Sequence, residues 1–406
     1  MAAIFTTSPK ELDLLAASRG VKEALLQLSR DKQWVNEKHL ELCRVPSPTF
    51  QEQRRAEWML AAFKSLGCEA RIDQAGNVIA FLDGNAHAPF VAYTAHLDTV
   101  LAPRNADDIR TEPDGTFTGP GVSDNGAGLA GLLALVRALK SAPPLEGLTA
   151  SPVFIANVGE EGDGNLCGMR YLCTDSPLAS KIRTFVVLDG PAIEHVTCEA
   201  LACRRYEVTI TGAGGHSWID YGIANPVHAM ARMITIFAEN LPQTTPDKKL
   251  SFNFGLIEGG VSVNAIPTAA RTRLDLRSVD EADLERMSII LDAALTRACE
   301  WENEKATAKV AGKIRETGSR PGGKLAAKSP LLANIRKVDA FLGIRSVIDR
   351  GSTDANIPLS RGIPAISIGA GGAGGGAHTP AEWYKPEGRD TGLKRLLLLL
   401  ALSLTE

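Results

Sequence analysis

The spacing of apolar and polar residues changes along the chain, and each change predicts a different kind of element. Residues 10–66 are predicted to be mostly helical, and a turn at 76 and 77 leads into short strands. From 90 to 200, short apolar runs alternate with glycine-bearing turns and one long helix. This alternation of strands and helices indicates a mixed, mostly parallel central sheet flanked by helices.

The pattern after about residue 202 predicts a second, smaller domain. Its predicted elements are, in order, a strand at 204–210, a helix that starts at Asn225-Pro226, strands at 250–257 and 268–277, a helix at 280–302 and a strand at 306–315. The order βαββαβ is typical of a small ferredoxin-like unit. We therefore expect an inserted domain at 203–315, with 1–202 and 316–406 forming one discontinuous domain around it.

Composition limits the kinds of partner that this chain can have. The net charge is −3 and the pI is about 6.2, without a basic stripe, which argues against nucleic acid. The apolar run 396–404 is too short to span a membrane and predicts a buried C-terminal helix. The first residues lack the pattern of a secretory signal, and an odd number of cysteines, seven, indicates reduced thiols. These features predict a cytoplasmic protein that binds no membrane.

Acidic and imidazole side chains follow the predicted strands of the first domain. These side chains come directly after apolar runs or in glycine-rich loops; they are His96, Asp98, Asp124, Glu160, Glu161, Asp189 and His378. Each has a simpler explanation when taken singly: a polar strand end for His96, a helix cap for Asp124, a turn for Asp189. Four of the sites follow strands, however, and ligands of an open α/β sheet bind beyond the carboxyl ends of its strands. We therefore expect these side chains to meet at one edge.

The residue types at this edge indicate a metal site. Histidine and carboxylate donors without cysteine suit zinc, with manganese or cobalt as alternatives. One donor from each of five positions, the four strand ends and the Asp124 loop, already exceeds what one catalytic zinc ion takes, whereas two ions that share one carboxylate would use all five. The sequence therefore predicts two divalent metal ions.

Several motifs, in order along residues 40–400, resemble those of a known enzyme family. They are HLDT (96–99), GPGVSDNGAG (119–128), GEEG (159–162), VVLDG (186–190), GGHS (214–217) and GGVSVNAIP (259–267). They are similar to the dizinc peptidases and deacylases that include carboxypeptidase G, peptidase T, acetylornithine deacetylase and succinyl-diaminopimelate desuccinylase. The resemblance implies that the inserted domain is a lid that forms a homodimer.

The resemblance also implies a role for each residue of the metal site. Asp124 would bridge the two ions and precede a cis peptide bond. His96 and Asp189 would complete the coordination of one ion, and Glu161 and His378 would complete that of the other. Asp98 would orient the ring of His96.

The adjacent glutamates would divide the work. Glu161 would face a metal, and Glu160 would be the general base that takes a proton from a water bridging the ions and passes it to the leaving nitrogen. Gly159 and Gly162 would allow the tight turn that points the two side chains differently.

Three residues of the inserted domain complete the implied site. His216 would stabilise the oxyanion and contact the substrate, and Asn264 and Arg277 would hold the substrate, often by its carboxylate. Arg277 is equally compatible with an exposed strand position.

The sequence is compatible with three functions. The first is a metal-dependent exopeptidase that acts on small peptides. The alternative is an N-acyl- or N-carbamoyl-amino-acid amidohydrolase, which would use the same catalytic residues. A remote third is an inactive relative that binds a ligand, although every expected ligand and the base are present.

Overall fold

The protein is described here from a computed structural model that covers residues 9–241 and 250–405. Its helices are α1 (Pro9–Ala17), α2 (Arg19–Arg30), α3 (Lys32–Cys43), α4 (Gln53–Ser65), α5 (Gly126–Ser141), α6 (Cys167–Thr174), α7 (Pro226–Asn240), α8 (Glu281–Asn303), α9 (Pro330–Leu342), α10 (Asn356–Ser360) and α11 (Arg389–Thr405). Its strands are β1 (Glu69–Ile72), β2 (Val78–Phe81), β3 (Phe90–His96), β4 (Arg110–Thr111), β5 (Phe117–Thr118), β6 (Ser151–Asn157), β7 (Ile182–Leu188), β8 (His195–Ala200), β9 (Ala202–Thr211), β10 (Gly215–His216), β11 (Leu250–Gly259), β12 (Ala265–Ile266), β13 (Ala269–Ser278), β14 (Ala311–Arg320), β15 (Gly323–Lys324), β16 (Val347–Gly351), β17 (Ala365–Ile368), β18 (Ala373–Gly375) and β19 (Trp383–Lys385).

The chain divides into two compact units. The first consists of Met1–Ala200 and Gly323–Glu406, and the second of Leu201–Gly322. The second unit begins two residues before the predicted 203–315 and ends seven residues after it, because β9 begins at Ala202 and β14 continues to Arg320. The role of this unit as a lid or dimerisation domain stays a prediction.

The first unit is built on a mixed sheet, as the sequence predicted. The order of its nine strands within the described residues is β1-β2-β6-β3-β7-β17-β8-β15, with β16 also pairing with β8. Strands β6, β3, β7 and β17 are neighbours and run parallel, so their carboxyl ends lie at one edge. The register pairs His96 with Asn157, which aligns the ends of β3 and β6.

Helices cover this sheet and exclude water from it. Every residue of β3 is buried, and α5, which packs on β3, is buried along most of its length. The predicted C-terminal helix is also confirmed, since α11 is buried throughout 395–404. Among the helices of the described ranges, none is both long and apolar enough to cross a membrane.

The second unit has the predicted βαββαβ order. Its sheet has the order β11-β13-β9-β14 and is antiparallel throughout. Alternate residues of β9 and β13 are buried with apolar residues of α7 and α8 in a separate core. Asn225 caps α7 through its side-chain oxygen, 2.9 Å from the backbone nitrogen of Val227, and Pro226 is the first helical residue, as expected.

The last strand of the second unit lies five residues later than predicted. It covers Ala311–Arg320 rather than 306–315. The amide of Asn303 exchanges two hydrogen bonds with the backbone of Val310, at 2.9 and 2.7 Å. These bonds stabilise a turn after α8, and the strand therefore starts only beyond that turn.

Candidate metal centre

The predicted ligands come from the carboxyl edge of the central sheet. His96 is the last residue of β3, Asp189 follows β7 directly, and Glu160 and Glu161 follow β6 by three and four residues. His378 lies on the connection between β18 and β19. The parallel order of the strands therefore brings together residues that are far apart in the sequence.

The loop between β5 and α5 adds Asp124 to this edge. Asn125, rather than Asp124, caps α5, with its Oδ1 atom 3.1 Å from the backbone nitrogen of Gly128. The Asn125 side chain also donates to the carbonyl oxygen of Leu188 at 2.8 Å, at the end of β7. The peptide bond between Asp124 and Asn125 is cis, as the resemblance implied. The start of α5 is therefore fixed to the strand that precedes Asp189.

Asp124 lies between two clusters of possible metal ligands. Its Oδ1 atom is 3.0 Å from Nε2 of His96, which is 3.9 Å from Oδ1 of Asp189. Its Oδ2 atom is 3.1 Å from Nε2 of His378, which is 2.8 Å from Oε1 of Glu161. In each cluster one ligand atom per residue lies within 4.8 Å of the others. The two oxygens of one carboxylate thus face two separate groups of donors.

Asp98 orients both His96 and the glutamate turn. Nδ1 of His96 is 3.0 Å from the backbone oxygen of Asp98 and 3.5 Å from its carboxylate. The two carboxylate oxygens also accept hydrogen bonds from the backbone nitrogens of Glu160 and Glu161, at 3.0 and 2.9 Å. Asp98 is fully buried, so these bonds are shielded from water. Besides its contacts with His96, for which the resemblance implied an orienting role, Asp98 therefore also contacts the backbone of the two glutamates.

Glu160 is buried beside His96 and Glu161. One ligand atom from each of these three residues lies within 4.8 Å of the other two. The turn that carries the glutamates has a left-handed backbone at Gly159, with φ of 66°, and at Gly162, with φ of 49°. Both values are in the region that favours glycine, in agreement with the tight turn expected here.

Burial and close contacts between charged groups shift the pKa values of several side chains at this edge. Burial, together with repulsion by Asp124, raises the pKa of Asp189 to about 7. Burial also raises the pKa of Glu161, even though the two histidines attract its charge. Hydrogen bonding to Asp124 raises the pKa of His378 to about 9. The charges of Asp189 and Glu161 are therefore incompletely compensated by the neighbouring imidazoles, and a bound cation would supply the missing positive charge.

The donor set therefore fits divalent metal ions. Asp124, Asp189 and Glu161 provide carboxylate oxygens, and His96 and His378 provide imidazole nitrogens. Neutral imidazole and carboxylate are the ligands of catalytic zinc sites, and they also suit manganese and cobalt. Within the described residues, the groups of acidic, histidine and cysteine side chains close enough to hold an ion all lie at this sheet edge.

The second unit brings together two of its three predicted site residues. Strand β10 pairs His216 with Ala265 of β12, and the backbone nitrogen of Ser217 donates to the carbonyl oxygen of Asn264 at 3.0 Å. Nδ1 of His216 accepts from the backbone nitrogens of Trp218 and Ile219, at 3.2 and 3.3 Å. Because Nδ1 is an acceptor, a neutral His216 carries its hydrogen on Nε2 and can donate it to a ligand.

Arg277 does not join this pair. It lies near the end of β13, eight residues after Ala269, the first residue of that strand. Eight residues of extended strand place it about 26 Å from Ala269. Its Nε atom donates to Oδ2 of Asp275 at 2.7 Å, and Asp275 also accepts from Arg205. The position therefore matches the alternative of a strand residue paired with a neighbour, and a substrate contact by Arg277 stays a prediction.

Three buried residues that contact the backbone around the candidate metal centre were not identified from the sequence. Glu52 accepts from the backbone nitrogen of Gly159 at 3.1 Å, and Glu382 accepts from the backbone of the Asp124 loop. His39, also buried, contacts the carbonyl oxygen of Val122 at 2.7 Å. All three bond to backbone atoms, and such contacts leave no motif in a sequence.

Known proteins resemble this chain in sequence and in fold. The model of a family described as peptidase family M20/M25/M40 matches residues 92–402. The cytosol non-specific dipeptidase of Escherichia coli is 25% identical over 371 residues, which cover 86% of this chain and 71% of the dipeptidase. The succinyl-diaminopimelate desuccinylase of Ruegeria pomeroyi is 29% identical over 230 residues, 52% of this chain and 58% of that enzyme. A tripeptidase structure from Staphylococcus aureus has a TM-score of 0.75 at 19% identity, and the match covers 92% of this chain and 99% of the tripeptidase.

Asp124 belongs to both donor clusters, so its replacement should affect the binding of both ions. Asp124→Asn is expected to weaken the binding of both ions on the order of tenfold or more, because the two donor clusters have this residue in common. Asp189→Asn is expected to weaken only one, since Asp189 belongs to a single cluster. Calorimetric titration of the metal-free variants with zinc measures both steps. Retention of one unchanged step in Asp124→Asn would show that this residue does not bridge.

Proposed function

This chain belongs to peptidase family M20/M25/M40, and from that premise we propose that it is an exopeptidase that hydrolyses an amide bond in small peptides with two divalent metal ions, preferably zinc. Metal-dependent hydrolysis of an amide bond agrees with the family, and the dipeptide- or tripeptide-like substrate is our proposal. The observation that carries it is the position of the Asp124 carboxylate, which faces one donor cluster with each oxygen.

His96 and Asp189 would hold one ion, Glu161 and His378 the other, and Asp124 both. Bound ions of this kind polarise a carbonyl oxygen and lower the pKa of water toward about 7. The charge of Glu161 would be compensated there. Glu160, its neighbour, would remain available for proton transfer.

Glu160 is the proposed general base. It is buried at the same edge, and its backbone nitrogen is fixed by the Asp98 carboxylate. Its carboxylate would accept a proton from the attacking water and donate that proton to the leaving nitrogen, so that one side chain serves both halves of the reaction. Low solvent exposure keeps the proton at this site between the two steps.

His216 is the proposed donor to the oxyanion that forms on the substrate carbonyl. The two backbone contacts at Nδ1 keep the hydrogen on Nε2, which is the arrangement that a neutral oxyanion donor needs. Asn264, which lies beside it, would contribute a further polar contact with the substrate.

The alternative function is hydrolysis of an N-acyl- or N-carbamoyl-amino acid. The likeness to a succinyl-diaminopimelate desuccinylase supports it, because the same metal and base residues would serve both reactions. Hydrolysis rates of the zinc-loaded protein on dipeptides, tripeptides and acetylated, succinylated or carbamoylated amino acids distinguish the two. Turnover of peptides with a free amino terminus supports the exopeptidase, and turnover of acylated amino acids alone supports the alternative. Absence of chelator-sensitive hydrolysis in the whole panel contradicts both.

We also propose that two copies associate through the second unit and that the protein acts in the cytoplasm. Strand β11 is at the edge of its sheet, and Phe252, Leu256 and Ile257 on it are exposed. An exposed apolar edge strand is suited to pairing with another chain. All seven cysteines lie within the described ranges and are free thiols, as a reducing compartment requires.

Replacing the base should separate chemistry from metal binding. Glu160→Gln is expected to retain the zinc content of the wild type and to lower kcat by about 10²–10⁴-fold, since the amide cannot accept the proton. Glu57→Gln, on the exposed face of α4, is the matched control and should retain full activity. Wild-type turnover in Glu160→Gln would remove this residue from the proposed mechanism.

Replacing His216, the proposed oxyanion donor, tests its role separately from that of the base. His216→Ala should leave metal content unchanged and lower kcat by about 10²–10³-fold, as the loss of one such donor typically does. His228→Ala, which replaces an exposed histidine of α7 in the same unit, should leave kcat unchanged. A normal kcat for His216→Ala would exclude the proposed role.

The proposed association can be measured independently of activity. Light scattering coupled to gel filtration is expected to give about twice the 43.2 kDa of the chain. Leu256→Lys should shift the protein toward the single-chain mass by placing charge on the edge strand. Ile289→Lys changes an exposed residue of α8 and should not alter the mass. A single-chain mass for the wild type would contradict the proposal.

A further inference from the structure

We propose that Glu382 is the positioning residue for Asp124 and that it connects the Asp124 loop with the segment that carries His378. The inference rests on the proposed metal-dependent function, and Glu382 lies outside every motif on which the family resemblance was based. It concerns contacts with the protein backbone, so the role is to place a metal ligand rather than to take part in the chemistry.

One residue accepts most of the hydrogen bonds that the Asp124 loop can donate. Oε1 of Glu382 accepts from the backbone nitrogens of Ser123 and Asp124, at 2.7 and 2.8 Å, and Oε2 accepts from Gly121 at 2.8 Å. The carbonyl oxygen of Glu382 also accepts from the backbone nitrogen of Gly119 at 3.0 Å. The residue is 3% exposed. Four backbone N–H groups of the loop 119–124 therefore converge on Glu382.

These contacts require a carboxylate. Consecutive backbone N–H groups that point to one spot form a concave site for an anion, and here the anion is a side chain of the same protein. Hydrogen bonds to an ionised acceptor are stronger than those between neutral groups. A glutamine at 382 has only one acceptor oxygen, so its NH₂ group would face the backbone N–H of Gly121, donor against donor.

The opposite, carbonyl side of the same loop is held by other residues. Nε2 of His39 is 2.7 Å from the carbonyl oxygen of Val122, and Nδ1 of His39 accepts from Arg389 at 2.7 Å. The carbonyl oxygen of Gly121 accepts from the backbone nitrogen of Gly126 at 2.8 Å. Because these bonds do not involve Glu382, a change at Glu382 should release the N–H side of the loop while the loop stays folded.

Glu382 also connects two ligands of the metal centre. It follows His378 by four residues and directly precedes β19, which pairs with β5 at the start of the Asp124 loop. The four residues from His378 to Glu382 and the hydrogen bond from the backbone nitrogen of Asp124 to Glu382 therefore link these two ligands, whose Nε2 and Oδ2 atoms are 3.1 Å apart. A loss of those bonds should move Asp124 relative to the other members of both donor clusters.

The test compares Glu382→Gln with the wild type and with Glu387→Gln, an exposed glutamate five residues further along the chain. Metal-free protein is titrated with zinc in a calorimeter. Glu382→Gln is expected to bind both ions about 10–100-fold more weakly, as is typical when a group that orients a ligand is lost. The visible spectrum of the cobalt-loaded variant is expected to differ from that of the wild type. Glu387→Gln should match the wild type in both measurements.

Two further measurements separate positioning from a role in folding. Metal-free Glu382→Gln should keep a cooperative thermal transition, since the carbonyl side of the loop remains held. Glu382→Asp, which retains both carboxylate oxygens, should recover part of the lost zinc affinity.

Zinc affinities and a cobalt spectrum equal to those of the wild type in Glu382→Gln would overturn this inference while leaving the proposed function intact. Loss of the cooperative transition in metal-free Glu382→Gln, or an affinity loss confined to one ion, would also overturn it. A wild-type protein that binds no zinc would instead refute the proposed function, and this inference with it.

Discussion

The hydrogen bond from a backbone N–H group to a buried carboxylate is the interaction on which the geometry of the candidate metal centre depends. Glu52 accepts from Gly159, Asp98 from Glu160 and Glu161, and Glu382 from the Asp124 loop. A buried carboxylate without such partners would be strongly disfavoured. Here the same bonds stabilise the acceptor and hold the turn or loop that carries a proposed metal ligand or base. The backbone that carries Asp124, Glu160 and Glu161 is therefore fixed by buried side chains that are not themselves proposed ligands.

Strand direction explains why residues distant in sequence meet. Four neighbouring parallel strands end at one edge, and the loop before α5 is fixed to that edge through Asn125 and the end of β7. The rigid, buried strands set the spacing of His96 and Asp189, whereas His378 comes from the connection between two short strands. Glu382, four residues after His378, accepts hydrogen bonds from the backbone of the Asp124 loop and so links the segment that carries His378 to that loop.

The sequence was sufficient to predict the features that have a local signal. Alternating apolar runs predicted the strands, and polar residues directly after them predicted which side chains meet, because the ends of parallel strands share an edge. The buried acceptors Glu52 and Glu382 have no local signal, since their partners are backbone groups 107 and 258 residues away. The last strand of the second unit was misplaced because the turn that delays it depends on Asn303 and Val310, seven residues apart. Arg277 was assigned by resemblance alone, and its pairing with Asp275 could not be read from spacing.

The chain leaves the first unit and re-enters it at two neighbouring positions. Ala200 and Gly323 are directly paired neighbours on β8 and β15. The gap between them is therefore that of adjacent strands, about 5 Å, and a short hairpin could close it. A whole domain can be gained, lost or exchanged at such a junction without interrupting the surrounding sheet. The hydrolytic scaffold can thus be inherited separately from the module inserted in it, which allows lineages to diversify one while conserving the other.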